Sequence, residues 1–327
     1  MSKILKIINP MFKNYIVTCL FCTVCCLSYG QQDHSANHKN YLSDFPIIDM
    51  HFHSDWWGAP EVEETLSGFK SQKDRKTYVS ESFKYLKKYN IVKAVTDGAF
   101  TLEYQKMAPG QIIPAHGSYG TSIDSLRKWF KNGKYKVMGE FEPQYSGISP
   151  GDKSLERYYA LAEELDVPLG IHVGLGPPGA PYIKGMEKYR MSLSNPLLLE
   201  DVLVKHPKMR VYIMHGGWPF LDEMVGLLYA HPQVYIDISV INWVLPRAEF
   251  HQYLRRIVEA GFGERIMYGS DEMQWPQSIE VSVENILSAH FLTRQEKEDI
   301  LYNNAARFLR LSNEEIKKDK SESLSAQ

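Results

Sequence analysis

Two histidines, His51 and His53, are separated by one residue and follow the apolar segment Phe45-Pro-Ile-Ile. In a strand the side chains alternate between faces, so both imidazoles would point the same way, about 6.6 Å apart along the chain. This spacing lets both rings bind one cation at zinc–nitrogen distances of about 2.0–2.1 Å. Asp49 lies on the same face one step deeper, where its carboxylate would orient a ligand histidine. The same pair would also be compatible with two surface histidines or two hydrogen-bonded core histidines. Residues at the ends of other strands are therefore needed to distinguish a metal site from these alternatives.

Four further polar residues follow apolar segments. They are Glu140 after Val137-Met-Gly, His172 after Leu169-Gly-Ile, His215 after Val211-Tyr-Ile-Met, and Asp271 after Ile266-Met-Tyr-Gly-Ser. Each alone has an ordinary explanation, such as a hydrogen-bonded histidine or an aspartate that caps a helix. Together with His51 and His53 they indicate one shared site.

Eight apolar segments are predicted to be strands that position these residues: Pro46–His51, Ile91–Thr96, Gln111–Pro114, Lys136–Phe141, Val167–Val173, Arg210–Met214, Val234–Ile238 and Arg265–Gly269. Amphipathic segments between them are predicted to be helices: Ser80–Tyr89, Ser122–Lys131, Ser154–Leu165, Pro196–Lys205, Phe220–Ala230, Arg247–Ala260 and Gln277–Ala289, with Thr293–Leu301 and Asn303–Leu311 at the end.

This alternation predicts a single α/β domain, a (β/α)8 TIM barrel over residues 44–312, whose parallel strands are joined by right-handed crossovers. The C-terminal ends of all eight strands then open on one face, where such barrels place their chemistry. Buried histidines and carboxylates without partners would be costly there, and a bound cation removes that cost.

The first thirty residues differ from the rest. Lys3, Lys6 and Lys13 precede an apolar run from Tyr15 to Leu27, and Ser28-Tyr29-Gly30 offers a small-residue cleavage site. This pattern predicts a signal peptide over residues 1–30, and therefore a secreted or periplasmic protein. An uncleaved N-terminal membrane anchor is the alternative. Once the signal peptide is cleaved, no stable membrane insertion is expected.

All four cysteines of the chain, Cys19, Cys22, Cys25 and Cys26, lie inside this segment. The predicted mature chain therefore has no disulfide, no cysteine nucleophile and no thiolate ligand, so nitrogen and oxygen atoms must hold any metal. It keeps 34 basic and 39 acidic residues, a formal charge of −5. No basic stripe suggests a nucleic-acid partner. Residues 31–43 are predicted to be a flexible lead-in, and the charged residues 313–327 a disordered tail.

The combined motifs resemble the amidohydrolase superfamily, in particular its amidohydrolase-related branch of metal-dependent barrel enzymes. The matching motifs are Asp49-Met-His51-Phe-His53, Gly170-Ile-His172, Met214-His215-Gly-Gly-Trp218-Pro, Gly269-Ser-Asp271 and the closing Tyr302-Asn-Asn-Ala-Ala-Arg-Phe-Leu309. The resemblance covers about residues 46–311.

This resemblance implies a divalent metal cofactor, usually zinc, as one or two ions. His51, His53, His172 and Asp271 match positions that bind it in the family. His215 matches a histidine that binds a second ion or polarises the substrate. Asp271 would also be the base that accepts a proton from the attacking water.

Glu140 leaves two alternatives open. In two-metal relatives a carboxylate at the end of the fourth strand bridges the ions, and Glu140 matches it. In single-metal relatives this position is not a ligand, and Glu140 would only hydrogen-bond to one.

Aromatic residues follow several of the predicted strands and are candidate walls of a pocket for a small-molecule substrate. They are Trp56, Trp57, Tyr145, Trp218, Trp243 and Trp275.

The sequence therefore predicts a metal-dependent hydrolase that acts on the carbonyl of an ester, lactone or amide. A metal-dependent decarboxylase of the same superfamily is the alternative, and it would need a cationic group such as Lys184 or Arg190 to hold the substrate carboxylate. A non-catalytic metal-binding barrel is the third possibility. The oligomeric state is open, and a homo-oligomer is compatible with everything above.

Overall fold

The computed structural model describes residues 44–56 and 68–325. Eight strands form one parallel sheet in sequence order. Their bounds are β1 Ile47–His53, β2 Ile91–Asp97, β3 Ile112–His116, β4 Val137–Phe141, β5 Leu169–His172, β6 Val211–Met214, β7 Val234–Asp237 and β8 Ile266–Met267. Every predicted strand is present.

Backbone hydrogen bonds join the last strand to the first and close the barrel. The amide of Met50 donates to Tyr268 at 2.9 Å, and the amide of Asp271 donates to His51 at 2.7 Å. The amide of His53 donates to Glu272 at 3.0 Å. The chain beyond β8 therefore runs along β1, which brings Asp271 beside the two histidines.

Helices cover the barrel between the strands. They are α1 Arg75–Lys88, α2 Thr101–Met107, α3 Ile123–Lys131, α4 Glu156–Leu165, α5 Glu200–Lys205, α6 Leu221–Ala230, α7 Ile241–Val244, α8 Arg247–Ile257, α9 Gln277–Leu287, α10 Arg294–Glu298, α11 Asn304–Leu309 and α12 Asn313–Ser325. Helices α2 and α7 were not predicted, because one or two turns give too short a periodicity to recognise.

Local sequence explains where the helices begin and end. Asp74 and Ser122 accept backbone N–H groups at the starts of α1 and α3, which satisfies donors that a helix start leaves unpaired. Asp166 adopts a left-handed conformation, with a φ of 51°, and ends α4 immediately before β5.

The core has two parts. The larger cluster lies between the barrel and its helices and includes Ile47, Phe52, Leu169 and Ile236. The smaller cluster draws residues from six strands, among them Ile48, Met50 and Tyr212, so it fills the barrel interior. Residues from Tyr302 to Phe308 join this second cluster and close the N-terminal end of the barrel.

Strand β1 does not alternate strictly. Its pairing with β2 shifts register between Asp49 and Phe52, and Met50 and Phe52 belong to different core clusters. A bulge places one extra residue in the strand. The predicted convergence of His51 and His53 is nevertheless observed.

The prediction of a disordered tail at residues 313–327 is wrong, because residues 313–325 form α12. Asp319 of this helix is buried; it pairs with Lys93 of β2 at 3.0 Å and accepts the Tyr302 hydroxyl at 2.8 Å. The composition of this segment is typical of a solvated tail, and its composition alone does not show that the Asp319 carboxylate is buried against the barrel.

The predicted signal peptide and lead-in lie outside the described residues. Within residues 44–56 and 68–325, no helix combines the length and the apolar character that a membrane crossing requires.

Candidate metal centre

His51 and His53 converge with Asp271 at the C-terminal end of the barrel. The Nε2 atoms of His51 and His53 are 3.1 Å apart. Asp271 Oδ1 lies 3.0 Å from His53 Nε2 and 3.6 Å from His51 Nε2. All three side chains are buried. We call these residues the first donor group.

His172, His215 and Glu140 form a second donor group. His215 Nε2 lies 3.1 Å from His172 Nδ1, and Glu140 Oε1 contacts His172 Nδ1 and lies 3.6 Å from His215 Nε2. His172 Nε2 is 3.0 Å from the carbonyl oxygen of Leu175. That contact requires the proton on Nε2, which leaves the Nδ1 lone pair facing the centre.

Glu140 lies between the two groups. Its Oε2 is 3.4 Å from His51 Nε2 and 3.6 Å from His53 Nε2, whereas its Oε1 faces the second histidine pair. One carboxylate therefore presents one oxygen to each group, which is the arrangement a bridging ligand needs.

The donor set fits divalent cations. Two nitrogens 3.1 Å apart, each at the usual zinc distance from one ion, subtend about 100° at that ion, close to a tetrahedral angle. Neutral imidazoles and carboxylates suit zinc and other first-row metals alike. Within the described residues, three overlapping sets of donor atoms lie close enough together to hold a cation: His51, His53 and Asp271; His51, His215 and Asp237; and Glu140, His172 and His215.

Without a metal, protons on the histidines balance the carboxylates. Burial lowers the pKa of His53, but the hydrogen bond and charge of Asp271 outweigh it and raise that pKa to about 9. Burial raises the pKa of Asp271, but the charge of His51 and the hydrogen bond from His53 bring it down to about 2. Cationic charge is thus favoured where ions would bind, and a metal would replace these protons.

The backbone is strained at three strand ends. His215, Val240 and Asp271 have positive φ values of 59°, 54° and 52°. A non-glycine residue in this region costs about 1–3 kcal/mol and persists where the surroundings impose it. Its presence at two donor residues supports a functional constraint there.

Asp49 does not orient a histidine ring as expected. Its Oδ1 accepts the backbone N–H of His51 at 3.0 Å and of Ser270 at 2.9 Å, and its Oδ2 is buried without a hydrogen-bond partner among the described residues. The bulge in β1 is the reason, because it breaks the alternation on which the expectation relied. Asp49 instead joins β1 to the segment after β8.

Three residues behind the donors were missed by sequence reasoning. Asp97 Oδ2 accepts the backbone N–H of Glu140 at 2.7 Å. Asp237 Oδ1 accepts the backbone N–H of His215 at 3.0 Å. Ser239 reaches two of the histidines. Asp97 and Asp237 are the last residues of β2 and β7, within one residue of the predicted strand ends, so the rule that identified Glu140 could have found them.

The predicted pocket aromatics do not behave alike. Tyr145 is half-buried, with its ring 5.1 Å from the His172 ring. Trp56, Trp218 and Trp275 are half-buried around the same end of the barrel. Trp243, also a candidate pocket wall, is only 4% accessible, and its indole N–H donates to the Ser270 carbonyl oxygen at 2.7 Å. Trp57 lies outside the described residues.

Further carboxylates surround the donors. Glu142 is exposed at the mouth, but partial desolvation of its carboxyl, followed by repulsion from Glu140, raises its pKa to about 8. Burial likewise raises the pKa of Asp97 to about 6. Among the described residues no lysine or arginine forms an ion pair with Asp97, Glu140, Glu142 or Asp271.

Several known proteins resemble this chain in sequence or in fold. Protein fluG of Emericella nidulans is 22% identical over 160 residues, which are 44% of this chain and only 18% of fluG. A TIM-barrel protein of Bordetella bronchiseptica, described as uncharacterised, superposes with a TM-score of 0.63 at 18% identity, covering 81% of this chain and 99% of that one.

Two structures of named enzymes are also similar. A probable 2-pyrone-4,6-dicarboxylic acid hydrolase of Acinetobacter baumannii, solved with citric acid, gives a TM-score of 0.57 at 16% identity, covering 82% of this chain and all of that one. A 2,6-dihydroxybenzoate decarboxylase of Rhizobium gives 0.56 at 12% identity, covering 82% and 99%. At these identities the likeness concerns the fold.

The family assignment comes from the sequence itself. The sequence model of the amidohydrolase family (Amidohydro_2) matches residues 48–311, from the first barrel strand to the end of the closing helix. The matched range contains both donor groups, and the observed barrel is the fold of the similar structures. This chain therefore belongs to the amidohydrolase family.

Proposed function

We propose that this chain is a metal-dependent hydrolase that uses water to cleave the acyl carbon–oxygen bond of a small ester or lactone, or the acyl carbon–nitrogen bond of an amide. The observation that carries the proposal is Glu140, whose two oxygens each face a different pair of histidines. In this proposal His51, His53 and Asp271 would hold one ion, His172 and His215 would hold a second, and Glu140 would contribute to both sites. When bound, the ions would supply Lewis acidity and lower the pKa of a water molecule toward neutrality.

Asp271 is the group that moves the proton. It is ionised, because its pKa lies near 2, and it is the only carboxylate of the described first donor group. It would accept a proton from the attacking water and return it to the leaving group. His215, whose Nδ1 lies 3.8 Å from Asp271 Oδ2, would be the second residue to act on the reacting carbonyl.

Tyr145 is suited to hold the substrate. Burial, and then the charges of Glu140 and Glu142, keep the pKa of its hydroxyl well above the usual value. The phenol therefore stays protonated and can donate a hydrogen bond to a substrate oxygen. Trp56, Trp218 and Trp275 are proposed as further walls of the pocket, as is Trp57 from the sequence alone. The buried Trp243 lies behind Trp275, with their ring centroids 6.4 Å apart.

The charge around the centre favours hydrolysis over decarboxylation. A decarboxylase must hold an anionic carboxylate, which calls for a nearby cation. Arg190, one of the two cations considered, is exposed and donates to the carbonyl oxygens of Glu187 and Tyr189 in its own loop. Lys184, the other, is also exposed and has no described ion-pair partner. Glu142 instead adds a carboxyl group to the mouth.

Decarboxylation remains the second candidate, and the likeness to the Rhizobium decarboxylase supports it. We further propose that the metal is zinc. We also propose that the N-terminal signal segment directs export, and that the protein acts on a small molecule in the periplasm or outside the cell, as a monomer or homo-oligomer.

The test combines metal analysis with turnover. The purified protein would be analysed for bound metal, loaded with zinc, and assayed on a panel of lactones, esters, amides and aromatic acids. Hydrolysis that Asp271→Asn abolishes supports the proposal. Release of carbon dioxide from an aromatic acid would favour the decarboxylase. Bound metal with no turnover on any compound would favour a non-catalytic barrel, and no bound metal after reconstitution would refute the metal centre itself.

A further inference from the structure

Ser239, two residues beyond the end of β7, contacts one histidine from each donor group. Its Oγ lies 3.0 Å from His51 Nδ1 and 3.1 Å from His215 Nδ1. The same hydroxyl donates to Asp237 Oδ1 at 2.5 Å. Ser239 and Asp237 are both completely buried, so no water competes for these contacts.

The hydrogen-bond inventory of the hydroxyl is fully used. A serine hydroxyl has one proton to donate and two lone pairs that accept. Asp237 Oδ1 already accepts the backbone N–H groups of His215 and Ser239, so it takes the hydroxyl proton as an acceptor. Both lone pairs of Ser239 then face imidazole nitrogens, and each of those Nδ1 atoms must carry a hydrogen.

A proton on Nδ1 leaves the Nε2 lone pair of each neutral ring available to the centre. His51 Nε2 faces His53 and Glu140 Oε2, at 3.1 and 3.4 Å. His215 Nε2 faces His172 and Glu140 Oε1, at 3.1 and 3.6 Å. The two nitrogens thus serve different donor groups although one hydroxyl fixes both rings.

The backbone is shaped to permit this approach. A Cβ atom at Gly269 would lie 2.9 Å from Ser239 Cβ, closer than such atoms pack, and 3.0 Å from His51 Cβ, tighter than most such contacts. Glycine at this position leaves the space in which the serine reaches the histidine.

We propose that Ser239 is a positioning residue that sets the Nδ1–H tautomer of one histidine in each donor group and so couples the two halves of the centre. The inference rests on the proposed function, because it takes these histidines as metal ligands. Removing the hydroxyl should weaken both halves together, whereas the loss of a single ligand would weaken mainly one.

The experiment measures zinc affinity by competition with a chelator for wild type, Ser239→Ala and Ser239→Thr. We expect Ser239→Ala to lower the affinity for both ions by about 10–100-fold, the usual cost of losing a group that orients a ligand. Threonine keeps the hydroxyl and should restore most of the affinity. If threonine does not fit, Ser239→Cys is the second variant; its thiol is only a weak acceptor and should also weaken the binding of both ions.

Ser282→Ala is the matched control. Ser282 is buried and hydrogen-bonds Tyr268 and the Ile279 carbonyl on the outer side of the barrel, so both zinc affinities should stay at the wild-type level. Wild-type affinity for both ions in Ser239→Ala, or a loss confined to one ion, would overturn the proposal.

A second readout separates the two hypotheses. If wild type binds no zinc, the proposed metal centre fails, but nitrogen-15 shifts of the imidazoles can still be followed in metal-free protein. The pH is raised until the shifts themselves show that both rings are neutral, because despite burial the charges of Asp271 and Glu140 hold the pKa of His51 well above its usual value. Nδ1–H tautomers of His51 and His215 that are lost in Ser239→Ala would support the role of Ser239. Nε2–H tautomers in wild type would refute it.

Discussion

Replacing Glu140 by glutamine tests the bridge directly. Glutamine has nearly the same shape as glutamate, but it lacks the negative charge and offers only one weak acceptor oxygen. In the structure the first donor group keeps three strong donors without Glu140, namely His51, His53 and Asp271, whereas the second keeps two. Because two protein donors are fewer than the three of ordinary zinc enzymes, we expect the second ion to be lost and the first to be weakened.

The size of the effect follows from donor number and charge. With neutral histidines the two carboxylates contribute a charge of −2 toward two divalent ions, and Glu140→Gln reduces this to −1. Losing an orienting group alone costs about 10–100-fold in affinity, so losing a direct donor should cost the second ion at least about 100-fold. That ratio corresponds to about 2.7 kcal/mol. The first ion, which keeps three donors, should lose about tenfold.

The assay is metal content after dialysis, with affinities from chelator competition. Glu142→Gln is the control, because Glu142 is a carboxyl in the same mouth that makes no described contact with the four histidines. It should retain two ions. Glu140→Gln that also retains two ions at wild-type affinity would refute the bridging role, and with it the main support for a two-ion hydrolase. A wild type that binds one ion, unchanged in Glu140→Gln, would place Glu140 outside the ligand set.

Three further outcomes are expected. Asp271→Asn should lower kcat/KM by about 10²–10⁴-fold, the usual contribution of a general base, as measured on whichever substrate the panel identifies. In metal-free protein His53 holds a proton up to about pH 9. Zinc binding should therefore release protons at pH 7, and the zinc affinity should increase as the pH rises toward 9. Calorimetry in buffers of different ionisation enthalpy would measure both. Asp319→Ala leaves Lys93 buried without its charge partner and should lower the free energy of unfolding by about 3–5 kcal/mol, measured by urea denaturation.

Each of these has its own control. For Asp271, the control is the zinc content of Asp271→Asn without substrate. If the variant has lost zinc, its lower activity reflects a lost metal ligand and not a lost proton acceptor. For His53, the raised pKa stabilises the metal-free fold below about pH 6.5 and the contribution disappears as the pH rises through about 9; proton release that is absent at pH 7 would contradict this. For Asp319, the exposed pair of Lys320 and Glu298 is the comparison, and Glu298→Gln should cost at most about 1 kcal/mol.

The sequence was sufficient for the architecture because the strands of a TIM barrel are short, apolar and regularly spaced. Their parallel order then fixes which end of each strand shares a face with the others. That is why His172, His215 and Asp271, which are far apart in the chain, were expected together with His51 and His53, and the structure does bring them within hydrogen-bonding distance or close to it. Helix periodicity failed only where the helices were short or, in α12, largely polar in composition.

The residues behind the donors depended on tertiary structure. Strict alternation assigned Asp49 to a histidine ring, and a one-residue bulge in β1 directed it to the backbone instead. Ser239 carries no sequence signal, since a serine after a strand is common and its role exists only where two histidines from other strands meet it.

Burial and charge around the centre were likewise beyond the sequence. Aromatic residues after strands predicted a pocket, but packing alone decided that Trp243 is covered while Tyr145 faces the histidines. Glu140 shows the division most clearly. The sequence determined that a carboxylate stands at the end of the fourth strand; only the fold determined that its two oxygens face different histidine pairs, because that depends on distances between strands and not on the order of residues within one.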